Sequence, residues 1–161
     1  MSVIAFGSTV RDKITEFKGV VICRVEHMNR CVSYGVQPPV DNEKQLPDAK
    51  FVDEPDLEVV APPKEDMPPM TKTPNAFKLG VKVKDHLSDF TGVAVLRVKY
   101  PYAGDRYGVQ ATINGKGEIP EIKTFDGSDL EQIDPLPKKK KENKGKKPPE
   151  GPHDRSSAIA R

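Results

Sequence analysis

The chain has 161 residues, 31% charged and 35% hydrophobic with 6% aromatic and no Trp, and a formal net charge of +2; such a composition supplies two small cores more readily than one large one. No window approaches the roughly eighteen consecutive apolar residues of a membrane span, and residues 1–9 lack the basic flank and apolar run of a signal peptide, so no membrane contact and a cytoplasmic location are expected. Cys23 and Cys31 are too few for a disulfide framework and are expected as free thiols.

An internal repeat at a constant offset of 73 decides the organisation. Residues 10–58 align without a gap on 83–131, with 17 of 49 positions identical. The identities fall in blocks, including Phe17, Gly19 and Val20 with Phe90, Gly92 and Val93, and Tyr34, Gly35, Val36 and Gln37 with Tyr107, Gly108, Val109 and Gln110. The chain therefore divides into a first small β-barrel (1–60), a proline-rich linker (61–80), a second small β-barrel (81–133) and a lysine-rich tail (134–161) expected to be disordered. Both copies are mildly acidic, with seven basic against ten acidic residues in the first and six against eight in the second; the tail has nine basic and four acidic residues.

In chain order, the apolar residues of the first copy alternate in short runs bounded by Gly, Pro, Asn and Asp, the period of strands. Strands are expected at 10–14, 20–27, 31–37, 50–53 and 57–60, with a hairpin turn at 28–30 and a long polar loop at 38–47. Glu54, Pro55 and Asp56 split the last two strands. The second copy repeats the pattern, with a turn signal at Asn114 to Gly117 in its long loop. The fold class is thus all-β: two tandem small five-stranded barrels of the Src-homology-3-like kind. The expected core is Phe17, Val20, Ile22, Val25, Val36, Phe51 and Leu57, with Phe90, Val93, Val95, Val98, Val109, Phe125 and Leu130. Phe51 aligns with Thr124 and Phe125 with Val52, a one-place shift that turns an aromatic to the other face of a strand.

The opening Asp12, Ile14, Phe17, Lys18, Gly19, Val20, Val21, Arg24, Val25 resembles the KOW-like start of small barrels in translation and transcription proteins. The whole unit is similar to a group of short bacteriophage and prophage proteins, sharing the glycine after an aromatic, the valine-rich strand, the cysteine-bearing hairpin, the segment from Tyr34 to Pro38 and the acidic segment ending at Val59. That resemblance implies a phage origin and a place in the cytoplasm of the bacterial host. It implies no activity, and the second copy departs from it at Gly104 and Ala111, which replace Cys31 and Pro38.

Cys23, His27 and Cys31 are three potential metal ligands in one hairpin, but the second copy has Leu96, Tyr100 and Gly104 there, so no metal is expected. The same hairpin offers no oxyanion loop for a catalytic cysteine. Asp53, Glu54, Asp56 and Glu58, matched by Asp126, Asp129 and Glu131, read as solvating charge on a turn and edge strand. Arg24 and Arg97, set among apolar strand residues, are expected to pair with Asp12 and Asp85. Phosphate loops and dinucleotide fingerprints are absent, so no cofactor and no enzyme activity are expected.

The expected binding surface is the hairpin and long loop of each copy, carrying Arg30, Tyr34, Gln37, Tyr100, Tyr102, Arg106, Tyr107 and Gln110. The tyrosines with Arg106 offer a stacking platform, and the net acidity of both copies opposes phosphate there. The expected function is a non-enzymatic binding protein that engages a host or phage protein. Two alternatives stand beside it: nucleic-acid contact through Lys138, Lys139, Lys140, Lys141, Lys144, Lys146 and Lys147, and sequestration of a small ligand such as a signalling nucleotide.

Overall fold

The computed structural model describes residues 3–71, 73 and 76–133; the tail and its seven lysines lie outside the described residues. Ten strands are described: β1 (Thr9–Asp12), β2 (Lys18–His27), β3 (Ser33–Gln37), β4 (Lys50–Asp53), β5 (Leu57–Ala61), β6 (Lys82–Asp85), β7 (Thr91–Lys99), β8 (Arg106–Gln110), β9 (Lys123–Asp126) and β10 (Leu130–Gln132). Single 3-10 turns at Glu54–Asp56 and Gly127–Asp129 separate the last two strands of each copy. The fold is all-β, and no described helix is long and apolar enough to cross a membrane.

Each copy lays its strands antiparallel in the same spatial order, β5-β1-β2-β3-β4 and β10-β6-β7-β8-β9. The long second strand pairs with the first through its opening residues and with the third along most of its length, slipping by one residue at Ile22 and at Val95. Such bulges bend a strand and increase its twist. Closed barrels do not result. Among the described residues β4 and β5 share no ladder, and neither do β9 and β10, because the 3-10 turn occupies the residues that would continue the pairing.

The two copies are joined edge to edge. β2 pairs with β7 in the register Arg24 to Lys99, Val25 to Val98, Glu26 to Arg97 and His27 to Leu96, giving one open ten-stranded antiparallel sheet. Met28 N extends the seam by donating to Val95 O at 2.9 Å. The repeat equivalent of Met28 is Pro101, which has no N–H to give the matching bond.

Each copy keeps its own core. Val10, Val21, Tyr34, Val36 and Leu57 form the first, with Ile4, Phe6, Phe17, Val32 and Val52 against it. Val81, Val83, Ala94, Tyr107, Val109 and Leu130 form the second, with Phe77, Leu79, Phe90 and Phe125. Phe77 and Leu79 thus belong to the second unit, although the sequence places them in the linker. They repeat Ile4 and Phe6 at the same offset of 73, and Gly7 and Gly80 follow with positive φ of 80° and 90°. Gly7 N donates to Val21 O and Gly80 N to Ala94 O, so the repeat runs further toward the N-terminus than the identities suggest.

The expected core is corrected at four positions of the first copy. Val20 is 40% and Phe51 64% exposed, Ile22 is only half-buried, and Tyr34 is wholly buried. In β2 Gly19 and Val21 face inward and Val20 outward up to the bulge at Ile22; beyond it Arg24 lies on the inward face opposite Tyr34, and the buried Cys23 lies on the other face against Gly35. In β4 it is Val52 that packs inward, as Phe125 does in the second copy. The same inward register in β7 makes the wholly buried Ala94 the core residue in place of the half-buried Val93 and Val95.

Candidate functional site

Two kinds of surface stand out, and both come in pairs related by the repeat. The first is the long loop after β3 and after β8. In loop one Asp41 N donates to Gln45 O and Lys44 N to Asp41 O, while Asp41 Oδ1 accepts from Glu43 N at 2.9 Å and Gln45 N at 2.8 Å. Loop two repeats every bond: Asn114 N to Glu118 O, Gly117 N to Asn114 O, and Lys116 N and Glu118 N to Asn114 Oδ1. A short side chain that bonds the backbone two residues on is what Asp and Asn contribute to turns.

The loops are also tied at the base. Gln37 Nε2 donates to Pro47 O and Gln110 Nε2 to Pro120 O, each at 2.6 Å. These two glutamines, expected in the binding surface, fix the loops. At the tips Val40 and Leu46 in one loop and Ile113 and Ile119 in the other are 57 to 77% exposed.

The second kind of surface lies along the seam. The hairpin after β7 reaches the outer face of β2, where Tyr100, Pro101 and Tyr102 meet Val20, Ile22 and Met67 around a mostly apolar groove of about 600 Å³. The hairpin after β2 reaches the outer face of β7 in the equivalent way. There His27, Met28, Asn29 and Arg30 line a groove of about 430 Å³ with Val95 and Leu96. The hairpin tips, expected in the binding surface, therefore cover the neighbouring unit.

The stacking platform is not assembled. Tyr34 and Tyr107 have no exposed surface. The Tyr34 hydroxyl accepts from Ile4 N at 3.2 Å and donates to Glu54 Oε1 at 3.1 Å, while Tyr107 Oη accepts from Phe77 N at 3.0 Å. They pin the N-terminal arm of each unit to its core, and burial raises the ionisation of both phenols above the ordinary range. Tyr100 and Tyr102 line the larger groove; Arg106 bonds Asp126 at 2.8 Å and stacks its guanidinium 5.9 Å from the Tyr100 ring. Arg30 is exposed at the other hairpin tip.

The arginine partners also differ from expectation. Arg24 pairs with Glu26, and Arg97 with Asp105 and, at 4.0 Å, with Glu26 across the seam. Lys99 Nζ reaches the same Glu26 at 2.7 Å. Burial alone would raise the Glu26 carboxyl, but Lys99, Arg24 and Arg97 together hold it below the usual carboxylate range. Asp12 and Asp85 instead close the turns that follow β1 and β6, Asp12 by accepting from Thr15 Oγ1 at 2.6 Å and Asp85 from Ser88 Oγ at 2.6 Å. They sit a strand away from the seam, so the arginines meet nearer carboxylates.

Cys23 is buried, which raises its thiol ionisation, and Cys31 is exposed. Among the described residues no three His, Cys, Asp or Glu side chains gather as a metal site would require. Of the edge carboxylates, Glu58 pairs with Arg11 at 2.9 Å and Asp126 with Arg106. Sequence reasoning placed the long loops in the binding surface but missed Val40, Leu46, Ile113 and Ile119 as their tips. The signal lay in the repeat alignment, where aliphatic meets aliphatic at both positions.

The chain matches no family model and no curated protein.

Proposed function

We propose that the protein is a non-enzymatic binding protein of a phage or prophage that engages a host or phage protein in the cytoplasm of the host cell. The observation that carries this reading is the pair of hydrogen-bonded long loops, each holding two exposed aliphatic side chains on a fixed scaffold. Recognition residues concentrate on loops placed by a rigid framework, and an ordered loop has less conformational entropy to lose on binding. Each unit is, in this reading, a small open barrel of the Src-homology-3-like kind. The strand order β5-β1-β2-β3-β4, the bent second strand and the 3-10 turn before the last strand support it.

The test is a pull-down from host lysate with the full-length chain and with a version ending at Pro137, each washed at low and at high salt. A protein retained by both at high salt supports the reading. Nucleic acid recovered only by the full-length chain at low salt overturns it and moves the function to the tail lysines.

The larger seam groove favours one second reading, sequestration of a small ligand between the units. Its volume of about 600 Å³ falls in the range of small-molecule sites, and its lining is mostly apolar with Lys64 at its edge. A ligand held there raises the melting temperature in proportion to the logarithm of its concentration. A flat response across a panel of nucleotides removes the nucleotide form of this reading.

A further inference from the structure

The two loops diverge in sequence while keeping one property. Between residues 38–49 and 111–122 only Pro47 and Pro120 are identical, yet Val40 matches Ile113 and Leu46 matches Ile119. All four are exposed, and none belongs to either core cluster. A scattered surface aliphatic needs no explanation; two matched pairs, each flanking the same hydrogen-bonded turn, are a repeated feature of the surface.

The seam fixes how the pairs are arranged. Val25 lies opposite Val98, its own repeat equivalent; Arg24 lies opposite Lys99 while Glu26 lies opposite Arg97, which is the same pairing read from the other copy. Equivalent antiparallel strands meeting in this register are related by a two-fold axis normal to the sheet. Rotation about that axis leaves each face of the sheet on its own side, so the two loops stand on the same side, at opposite ends. Both are acidic around their aliphatic tips: Asp41, Glu43 and Asp48 against Lys44 in one, and Glu118 and Glu121 against Lys116 in the other.

We infer that the two loops together grip a two-fold symmetric protein homodimer, one loop in each of two identical sockets that are apolar at the floor and basic at the rim. The inference rests on the protein-binding reading above and names the partner's symmetry. A partner with a single socket would leave one loop idle, whereas a dimer whose axis coincides with that of the sheet engages both. Linking two such contacts in one chain multiplies affinity by about 10² to 10⁴ without any new contact.

The experiment captures partners from host lysate with the full-length chain and weighs the eluted complex by native mass spectrometry. Leu46→Asp, Ile119→Asp and the double variant are run beside it. Both positions are exposed, so unchanged melting temperatures are expected and show that each variant folds. The expected result is one chain bound to two copies of one subunit, a loss of roughly tenfold or more from each single substitution, background binding by the double variant, and retention by Leu46→Ile with Ile119→Leu. A complex with one copy of a monomeric protein, or a loss confined to one loop, overturns the symmetric partner and leaves the protein-binding reading standing. Equal capture by the double variant, or no protein held by the unaltered chain, removes that reading and the inference with it.

Discussion

Val25 of the first copy pairs directly with Val98, the residue that occupies its place in the second. The two cores are separate clusters, but the sheet is continuous through that pair. A nick in the connection between the copies should therefore leave both halves together. Limited proteolysis within residues 62–71 is expected to give two fragments that co-elute on size exclusion under native conditions. Val98→Pro imposes a fixed φ and removes an N–H in the middle of a paired strand, and the nicked variant is expected to elute as separate, smaller species. Separate elution of the unaltered fragments would show that the seam does not hold.

Tyr34 and Tyr107 each accept a hydrogen bond from the N-terminal arm of their own unit. Replacing either by Phe keeps the ring and removes the acceptor, with an expected loss of roughly 0.5–1.5 kcal/mol in a urea titration. The pH dependence follows from burial, which raises both phenols above the ordinary value of 10.0 in the folded state. The unfolded chain then gives up these protons first. The contribution is full below about pH 10 and is lost as pH rises through the folded values. Melting temperatures across this alkaline range should fall less steeply in the Tyr34→Phe, Tyr107→Phe double variant.

The repeat, most strand positions, the 3-10 breaks and the turn at Asn114 were legible because each depends on neighbouring residues. The seam was not, since pairing between β2 and β7 joins residues about seventy positions apart and leaves no local pattern. In β2 the run Val20, Val21, Ile22, Cys23 is apolar at every position, so alternation alone does not choose a face. Nor does it show the bulge at Ile22, which turns Arg24 to the same face as Val21 and Tyr34. The N-terminal arms escaped notice because Ile4 with Phe77 and Phe6 with Leu79 are alike in character without being identical. The tyrosines read as a surface platform because a phenol is compatible with either side of a strand; the partners that satisfy the buried hydroxyls, Ile4 N and Glu54 for Tyr34 and Phe77 N for Tyr107, are distant in sequence.

The glutamine at the end of β3 and β8 is expected to decide loop order. Gln37→Ala and Gln110→Ala each remove a 2.6 Å bond to the far side of the loop. Stability should fall by about 1 kcal/mol or less. Hydrogen exchange in residues 40–46 or 113–119 should rise in the altered copy alone. Unchanged exchange would mean that the inner turn bonds hold the loop by themselves.

Gly19 and Gly92 lie under the same carbonyl in each copy. A Cβ at Gly19 would stand 2.4 Å from Gln37 O, and one at Gly92 2.5 Å from Gln110 O. Both contacts are with backbone, so the strands must part. Gly19→Ala and Gly92→Ala are each expected to destabilise by about 1–3 kcal/mol in chemical denaturation, and a neutral result would contradict the β2–β3 and β7–β8 geometry.

The most direct test of the account is whether the seam exists in solution, because the arrangement of the loops follows from it. Nuclear Overhauser contacts in the full-length chain read this without altering a residue. The account predicts cross-strand contacts between Val25 and Val98 and between Glu26 and Arg97, with the Met28 amide protected from exchange by Val95 O. Two sets of contacts confined to residues 3–61 and 76–133, with none between β2 and β7, would contradict it.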